Sequence, residues 1–290
     1  MDWNRRDLVK STGAAVAAAM AQGVRPVPDR AAPAYEVYAL KYAGPFTSKL
    51  AFLYFNEGWD QDIDRYYYVW ALKGSGEVIV VDTGAGVSMA GQRKLTGYVN
   101  PVDVLKRIGV DGSNVTKVVI THLHWDHVGG MEMFPTAFPK ATFYVQKKEY
   151  DFWIRHPVAK RPFMRTFVDD IGNRGLTDLE GTNRLVLVQG DLTIGPGLDI
   201  LYAPGHTVAL QSLGVETAKG RAVVASDCGH LARNFKEDHP SSLITDLVGW
   251  LETYEKLRRW ASSVDLLFPG HDAGMLRSYP MVAEDITRLV

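Results

Sequence analysis

The 290-residue sequence contains a single cysteine, Cys228, and little that would stabilise the chain by covalent cross-links. One cysteine cannot form a disulfide within the chain. It also excludes structural zinc sites built from four cysteines or from two cysteines and two histidines. No uninterrupted apolar run approaches the roughly 20 residues of a bilayer-spanning helix. We therefore expect no stable insertion into a membrane.

Charge of one sign is not in excess, because 32 lysines and arginines stand against 33 aspartates and glutamates. Such a balance gives no overall field that attracts nucleic acid or an anionic membrane surface. We therefore expect no nucleic-acid partner and favour a small, roughly neutral molecule as the substrate. The length and the 46% hydrophobic content favour one large core and a single catalytic domain.

The N-terminal segment differs in composition from the rest of the chain. The paired residues Arg5 and Arg6 precede an alanine-rich stretch, Ala14–Ala21, and together they resemble a twin-arginine export signal. A proline-containing linker follows. We therefore divide the sequence into a signal with linker over residues 1–34 and a catalytic domain over residues 35–290. Export to the periplasm is the prediction, and a tail on a cytoplasmic protein is the alternative.

Short segments rich in β-branched and aromatic residues, separated by glycine, proline and aspartate, predict two clusters of strands. An amphipathic helix is predicted over Leu243–Trp260, and Asn100 with Pro101 begins another that runs to about Ile108. This order favours an α/β (α+β) fold with two sheets packed face to face and helices outside. The predicted strands are Tyr35–Tyr42, Leu50–Phe55, Tyr66–Lys73, Glu77–Asp82, Val115–Ile120, Leu185–Val188, Leu198–Tyr202, Ser212–Glu216, Arg221–Ala225 and Val264–Phe268.

The segment Lys147–Arg184 fits this alternation poorly, because it mixes aromatic residues with basic residues and glycines. Such a composition is typical of loops with short helical pieces. Two interpretations follow: a lid over the substrate, or helices that simply pack on the core.

A dense group of metal-binding residue types follows the strand that ends at Ile120. His122, His124, Asp126 and His127 lie within six positions, and two glycines come soon after them. Imidazoles and carboxylates are the ligands of hydrolytic zinc sites. A lone histidine is more often a core residue or a helix cap, but three of the eight histidines lie in these six positions. The spacing therefore predicts a metal site.

Four motifs occur in order along the chain. They are Thr-His-Leu-His-Trp-Asp-His-Val-Gly-Gly, Ala-Pro-Gly-His-Thr ending at Thr207, Ala-Ser-Asp ending at Asp227, and Phe-Pro-Gly-His ending at His271. Together they resemble the signature of the metallo-β-lactamase superfamily over about Tyr66–Asp272. The resemblance implies the αββα sandwich of that family, with two mixed sheets packed face to face.

The resemblance also implies two zinc ions per chain and a hydrolytic reaction. Two ions that share a water lower its pKa and hold the resulting hydroxide against a substrate carbonyl, which one ion polarises. In lactone-cleaving members, the residue at the position of Asp126 also passes a proton to the leaving oxygen. The implied ligands are His122, His124 and His206 for the first ion, Asp126, His127 and His271 for the second, and Asp227 as the bridge between them.

Within the superfamily the sequence is most similar to the N-acyl-homoserine lactonases, the quorum-quenching branch. The similarity includes the strands Tyr-Val-Trp-Ala-Leu and Val-Val-Asp-Thr-Gly and the Val-Gly-Gly-Met after the histidines. It implies hydrolysis of a cyclic ester, most directly an N-acyl-homoserine lactone. The family tyrosine that helps to bind the substrate carbonyl is replaced here by His230. Because imidazole also donates hydrogen bonds, we predict His230 as an altered catalytic contact, with a surface histidine of no role as the alternative.

Other functions stay open at this point. A hydrolase of another ester, a thioester or an amide, similar to glyoxalase II, is the first alternative, although only Asp272–Val290 follows the last motif. A metal-binding domain without turnover is the second. Zinc β-lactamases carry cysteine at the late ligand position, whereas Asp227 occupies it here and Cys228 is its neighbour. A small-molecule substrate and a homodimer complete the expectations.

Overall fold

Two β-sheets form the framework of residues 34–290, the part of the chain that the computed structural model describes. These residues belong to one compact unit. The strands are β1 (Glu36–Lys49), β2 (Asp62–Gly74), β3 (Glu77–Val81), β4 (Val115–Val119), β5 (Thr142–Gln146), β6 (Leu185–Val188), β7 (Leu192–Gly195), β8 (Leu198–Tyr202), β9 (Gln211–Thr217), β10 (Gly220–Ser226), β11 (Leu267–Pro269), β12 (Met281–Ala283) and β13 (Ile286–Arg288).

The larger sheet has eight strands in the order β12-β13-β1-β2-β3-β4-β5-β6, and the smaller has five in the order β11-β10-β9-β8-β7. Both sheets are mixed. Strands β1, β2 and β3 pair antiparallel, whereas β3 to β6 run parallel. In the smaller sheet β10 and β11 are parallel and the other pairs are antiparallel.

Short helices connect the strands, and one longer helix follows the second sheet. The α-helices of residues 34–290 are α1 (Val87–Gln92), α2 (Pro101–Lys106), α3 (Trp125–Val128), α4 (Phe134–Ala137), α5 (Lys147–Tyr150), α6 (Pro162–Arg165), α7 (Asp170–Thr177), α8 (Ala232–Glu237), α9 (Leu247–Trp260) and α10 (Gly274–Arg277). A π-helical turn spans Asp151–Arg155, and 3-10 turns span Leu50–Phe52, Gly129–Glu132, Pro157–Lys160 and Val264–Leu266.

The predicted αββα sandwich is confirmed by how each sheet divides its side chains between two cores. Successive side chains of a strand point to opposite faces of the sheet. In β3, Ile79 and Val81 pack against the second sheet, whereas Val80 packs on the opposite face under the helices. In β10, Val224 faces the first sheet, and Val223 packs beneath α9. Each sheet is therefore covered on both faces.

The strand predicted over Leu50–Phe55 is wrong. Leu50–Phe52 forms a 3-10 turn, and the backbone N–H groups of Leu53 and Tyr54 both donate to the carbonyl of Leu50. Leu50, Leu53 and Tyr54 therefore share one face, and that face packs on Leu231. Helical spacing of these apolar residues outweighed their β-propensity.

Two other boundaries moved for identifiable reasons. The helix predicted from Leu243 begins at Leu247, because the Asp246 side chain accepts a hydrogen bond from the Gly249 N–H and caps it there. The first three residues of the strand predicted over Val264–Phe268 form a 3-10 turn capped by Ser263, so β11 begins at Leu267. The helix after Asn100 is confirmed, and the Asn100 side chain accepts from the Val102 N–H.

The predicted export signal lies outside the described residues, and so does its linker except for Ala34. Export therefore stays a prediction, as does the homodimer. Within residues 34–290, no helix has the length and apolar character that a membrane span requires.

Candidate metal centre

The four sequence motifs meet at one edge of the sandwich, where five strands of both sheets end. Strands β3 and β4 of the larger sheet lead to Asp82 and His122, and β10 and β11 of the smaller sheet lead to Asp227 and His271. The loop between β8 and β9 adds His206. Parallel neighbouring strands place their carboxyl ends side by side, so residues distant in sequence converge here.

Three imidazoles form the first group of candidate ligands. The Nδ1 atom of His124 lies 3.1 Å from Nε2 of His122 and 3.1 Å from Nε2 of His206. All three side chains are buried. These nitrogens are close enough together to hold one metal ion.

Asp126, His127 and His271 form the second group. The Nε2 atoms of His127 and His271 lie 3.7 and 3.6 Å from Oδ2 of Asp126. Asp227 lies between the two groups: its Oδ1 is 3.4 Å from His127 Nε2, and its Oδ2 is 3.2 Å from His271 Nε2 and 3.5 Å from His206 Nε2. The seven residues predicted as ligands are thus brought together, with Asp227 between the two groups.

The donor atoms fit zinc. Four ligand atoms about 2.0–2.1 Å from a tetrahedral zinc ion lie about 3.3 Å apart, which matches these separations. The Nε2 atom of His127 and the Oδ1 atom of Asp227 are buried and have no hydrogen-bond partner within residues 34–290. Orphaned buried polar atoms are costly unless something binds them. A cation at this position would satisfy both.

The protonation states of the first group of imidazoles and of Asp227 suit metal binding. Burial, together with neighbouring imidazoles, lowers the pKa values of His122 and His124 well below the ordinary range and lowers the pKa of His206 to about 3. These rings are therefore neutral and have free lone pairs. Burial disfavours the charged form of Asp227, but the surrounding histidines outweigh it and hold its pKa well below its usual value. Asp227 is ionised.

Asp82 anchors the histidine loop. Its Oδ1 accepts from the Thr121 N–H at 2.7 Å, and its Oδ2 lies 2.8 Å from Nδ1 of His127. A carboxylate on the outer nitrogen fixes which nitrogen of a ligand histidine faces the metal. No role was predicted for Asp82, although the Asp-Thr-Gly motif after a buried strand was the available signal.

Glu149 is a second anchor that the sequence analysis missed. Its carboxylate accepts hydrogen bonds from the backbone N–H groups of Leu123 and Ala209 and from the Trp153 indole. It thereby ties the His122–His124 loop to the loop that carries His206. Burial raises the pKa of Glu149 to about 7. Nothing in the local sequence distinguishes it from an exposed helix residue.

Glycines permit the loops to approach closely. Gly205 has a φ of +142°, and a Cβ there would lie 2.3 Å from Cβ of Trp250 in α9. A Cβ on Gly130 would lie 2.1 Å from the carbonyl oxygen of Thr83. Only glycine fits at either position, which explains the glycines before His206 and after His127.

His230 lies in the wall of the site, and it is not a surface residue. It is 1% exposed, its Nε2 is 3.2 Å from Oδ2 of Asp227, and its ring stacks on His271. Its Nδ1 is buried without a partner in the described part of the chain. By contrast, the Nδ1 atoms of His206 and His271 lie 3.0 and 2.8 Å from the carbonyls of Leu243 and Tyr66. The His230 ring is therefore held less firmly than the rings of His206 and His271.

A cavity of about 170 Å³ opens on the candidate ligands. Beside it lies an apolar cavity of about 150 Å³ that shares four residues of its wall, including His124 and Phe167. Phe167 stacks on the His124 ring. The segment Lys147–Arg184 thus forms short helices and also supplies a wall of the site. The early aromatics Phe46 and Trp59 are exposed and lie outside both walls.

A larger cavity of about 620 Å³ lies elsewhere, between α5 and the loops around Gly190 and Val208. None of the seven candidate ligands lines it. We place the chemistry at the smaller cavity, because the convergent donor atoms are there.

Comparison with known proteins identifies the class. The sequence profile of the metallo-beta-lactamase superfamily matches residues 63–271, so the chain belongs to that superfamily. The N-acyl homoserine lactonase AiiA of Bacillus thuringiensis subsp. kurstaki is 26% identical over 224 residues, which are 72% of this chain and 82% of that protein. The N-acyl homoserine lactonase AttM of Rhizobium radiobacter is 30% identical over 179 residues, 59% of this chain and 63% of that protein.

Solved structures share the fold. A quorum-quenching N-acyl homoserine lactone lactonase superposes with a TM-score of 0.68 and 22% identity over 85% of this chain and 96% of that chain. AidC, a dizinc quorum-quenching lactonase, superposes with a TM-score of 0.65 and 20% identity, covering 82% and 88% of the two chains. The resemblance to the superfamily, with its similarity to lactonases, is confirmed.

Proposed function

We propose that this protein is a metal-dependent hydrolase that opens lactone rings, with two zinc ions per chain. The observation that supports it most is the arrangement of seven buried ligand-type residues in two adjoining groups that share Asp227. The curated relatives are lactonases. A substrate of the same kind, an N-acyl-homoserine lactone or a related lactone, is the first to test.

The reaction adds water to the lactone carbonyl and breaks the bond from that carbon to the ring oxygen, which gives a hydroxy acid. Bound zinc supplies an acidified water and polarises the carbonyl. His122, His124 and His206 would hold one ion, and Asp126 with His127 and His271 the other. Those two groups share Asp227, which would keep the two ions adjacent.

Asp126 is placed to move the proton. It is the most exposed of the seven residues, at 9%, and it lines the cavity. Its carboxylate would therefore take a proton from the attacking water and deliver it to the leaving ring oxygen. Without that transfer the alkoxide is a poor leaving group.

His230 would contact the substrate carbonyl. Its ring lines the cavity beside Asp227, and its Nδ1 has no partner in the described residues. An imidazole N–H directed at the carbonyl oxygen stabilises the negative charge that develops there. This is the role that the resemblance gives to a tyrosine.

The apolar cavity would receive an acyl chain. Its wall includes Trp153, Phe163, Met164, Phe167 and Ile244. Its size, about 150 Å³, resembles that of buried apolar cavities that bind a benzene-sized molecule. We therefore expect short acyl chains to bind better than long ones. Because His230 departs from the lactonase pattern, a hydrolase of another ester, a thioester or an amide is the second candidate.

A pH-stat assay of the zinc-loaded full chain tests this function. N-acyl-homoserine lactones with short and long chains, simple γ- and δ-lactones, and a thioester would be compared. We expect acid release from lactones, with a preference for short acyl chains. His230→Ala should lower kcat/KM about tenfold or more, and His230→Tyr should retain more activity than the alanine variant. Turnover of the thioester alone would refute the lactone assignment.

A further inference from the structure

Two arginines line the cavity of the candidate metal centre. Arg65 in β2 and Arg93 after α1 share its wall with Asp126, His230 and His271. Within residues 34–290, the ion pairs formed by arginines involve seven other arginines and neither of these two. The site therefore contains two guanidinium groups without an acidic partner, in a protein of nearly balanced charge.

Aromatic rings hold both guanidinium groups by their faces. The Arg65 group lies 4.7 Å from the centre of the Phe46 ring and 5.8 Å from that of Tyr67. The Arg93 group lies 4.2 Å from the centre of the Trp125 ring. Stacking on a face leaves the N–H groups at the edge of the guanidinium plane free to donate.

The hydrogen-bonding capacity of Arg65 is unused. Its Nε is buried and has no hydrogen-bond partner within residues 34–290. Arg93 donates through one terminal nitrogen to the carbonyl of Thr166, and its Nε lies 3.3 Å from the Met89 sulfur. The buried, unpaired Nε of Arg65 is costly unless a ligand satisfies it. Arg93, by contrast, is exposed to solvent.

Both arginines contact one pair of aromatic rings in the cavity wall, Tyr67 and Trp125. The Tyr67 and Trp125 rings lie 5.6 Å apart, between the two arginines, and Tyr67 makes an edge contact with His271. Burial raises the pKa of Tyr67 to about 12, and the charges of both arginines oppose that rise. The guanidinium groups are therefore close to the phenol and to the candidate ligands.

We propose that Arg65 and Arg93 bind an anionic oxygen group, a carboxylate or a phosphate, on the substrate that is opened at the adjacent metal centre. Guanidinium pairs its N–H groups with two oxygens of such a group, and the charges strengthen these bonds. This inference rests on the proposed function and narrows it. Lactones with an acidic substituent are preferred to neutral lactones of the same ring.

The competing explanation is that the arginines only offset the charge of Asp126 and Asp227. That role would affect zinc binding and all substrates equally. An anion-binding role would affect acidic substrates selectively. The two explanations therefore differ in a ratio that can be measured.

The experiment compares γ-butyrolactone with the same ring bearing a carboxylate at the γ-carbon. Zinc-loaded wild type, Arg65→Gln, Arg93→Gln and the double variant are assayed for kcat/KM and for zinc content. Arg221→Gln is the matched control, because Arg221 also stacks on an aromatic ring, Trp260, and lies outside the cavity wall. We expect wild type and the control to prefer the carboxylated lactone.

Each cavity variant should lose kcat/KM on both lactones, and the loss for the carboxylated lactone should exceed the loss for the neutral one by about tenfold or more. Zinc content should be retained. An equal loss on both lactones, or no preference in wild type, would overturn the inference. Competition by acetate and by inorganic phosphate then identifies the preferred anion. If inhibition by either anion is weaker in the double variant than in wild type, the inference is supported. If inhibition by both anions is the same in the two proteins, the inference is contradicted.

Binding separates this inference from the proposed function. The open-chain dicarboxylate product and γ-hydroxybutyrate are titrated calorimetrically into the zinc-loaded proteins. If neither lactone is hydrolysed, the proposed function fails, but tighter binding of the dicarboxylate that is lost in Arg65→Gln still supports the anion site. Equal binding of both ligands to every protein would refute it.

Discussion

Asp227 is the residue on which both groups of candidate ligands depend. Its two carboxylate oxygens lie within 3.5 Å of His127, His206, His230 and His271. Removing the carboxylate would take a candidate ligand from both groups and leave the remaining imidazoles crowded together.

We therefore expect Asp227→Ala to lose bound zinc and at least 100-fold in kcat/KM, because a lost ligand typically costs that much or more. Zinc content by mass spectrometry and the lactone assay measure the two effects. Asp60→Ala, which changes an exposed aspartate, is the control and should leave both unchanged. Full zinc and full turnover in Asp227→Ala would show that the ligand assignment is wrong.

Glu149 makes the stability of the metal-free protein depend on pH. Its pKa rises from 4.5 to about 7 on folding, because it is buried. The folded chain thus keeps a proton that the unfolded chain releases above pH 4.5. The stabilisation of the folded state by this retained proton is complete below pH 4.5 and is lost as the pH rises through 7. The size of the loss is on the order of 3 kcal/mol.

Denaturant unfolding of the metal-free wild type and Glu149→Gln between pH 4 and 8 measures this effect. The amide cannot ionise, so the variant should gain stability relative to wild type as the pH rises from about 4.5 to 7, and the difference should then level off. A difference that does not change with pH would contradict the buried, raised pKa of Glu149.

Among single residues, the sequence predicted the candidate ligands but not the residues that position them. The spacing of His122 and His124 and the ordered Pro-Gly-His motifs are visible in the sequence. Asp82 and Glu149 are single acidic residues whose importance comes from burial and from contacts more than 25 positions away in the chain. The orphaned Nε of Arg65 likewise depends on tertiary packing.

Among the elements, the 3-10 turn Gly129–Glu132, which follows α3, packs closely on the loop after β3. Gly130 donates from its N–H to the carbonyl of Gly84, and Thr83 donates to the carbonyl of His127. These bonds fix the loop that carries the second group of ligands. A side chain at Gly130 would enter the Thr83 backbone.

Gly130→Ala should therefore lower the free energy of unfolding by about 2 kcal/mol or more and weaken zinc binding, because the backbone must shift. Gly91→Ala is the matched control: a Cβ there meets nothing within 4 Å, and alanine in helix α1 should be neutral or stabilise by up to about 1 kcal/mol. Equal stability of the two variants, measured by denaturant unfolding, would contradict the close approach at Gly130.

Most strands could be predicted, because their apolar residues alternate or run continuously between turn residues. The missed strands are β5, β7, β12 and β13. Strands β12 and β13 have only three residues each, and they are defined by pairing at the edge of the larger sheet, β13 with β1 and β12 with β13. The wrong strand over Leu50–Phe55 shows the opposite limit. Apolar residues at mixed spacing fit a strand or a turn of helix. Contact of these residues with Leu231 selects the helical turn here.

For the whole molecule, composition predicted one large folded unit but not the charge of the site. A net charge of -1 favoured a neutral substrate, yet Arg65 and Arg93 place two positive charges at one cavity. Net charge governs long-range attraction, whereas substrate choice depends on the few groups that line the site. The αββα sandwich followed from the order of strands and helices together with the resemblance.

We propose that this framework holds two zinc ions that together support lactone hydrolysis. Titration of the metal-free full chain with zinc, with bound zinc per chain and lactone turnover measured on the same samples, tests it most directly. We predict saturation at two zinc ions per chain and a rate that reaches its maximum only as the second ion binds. Saturation at one ion with full turnover, or a rate that does not depend on zinc, would contradict the account.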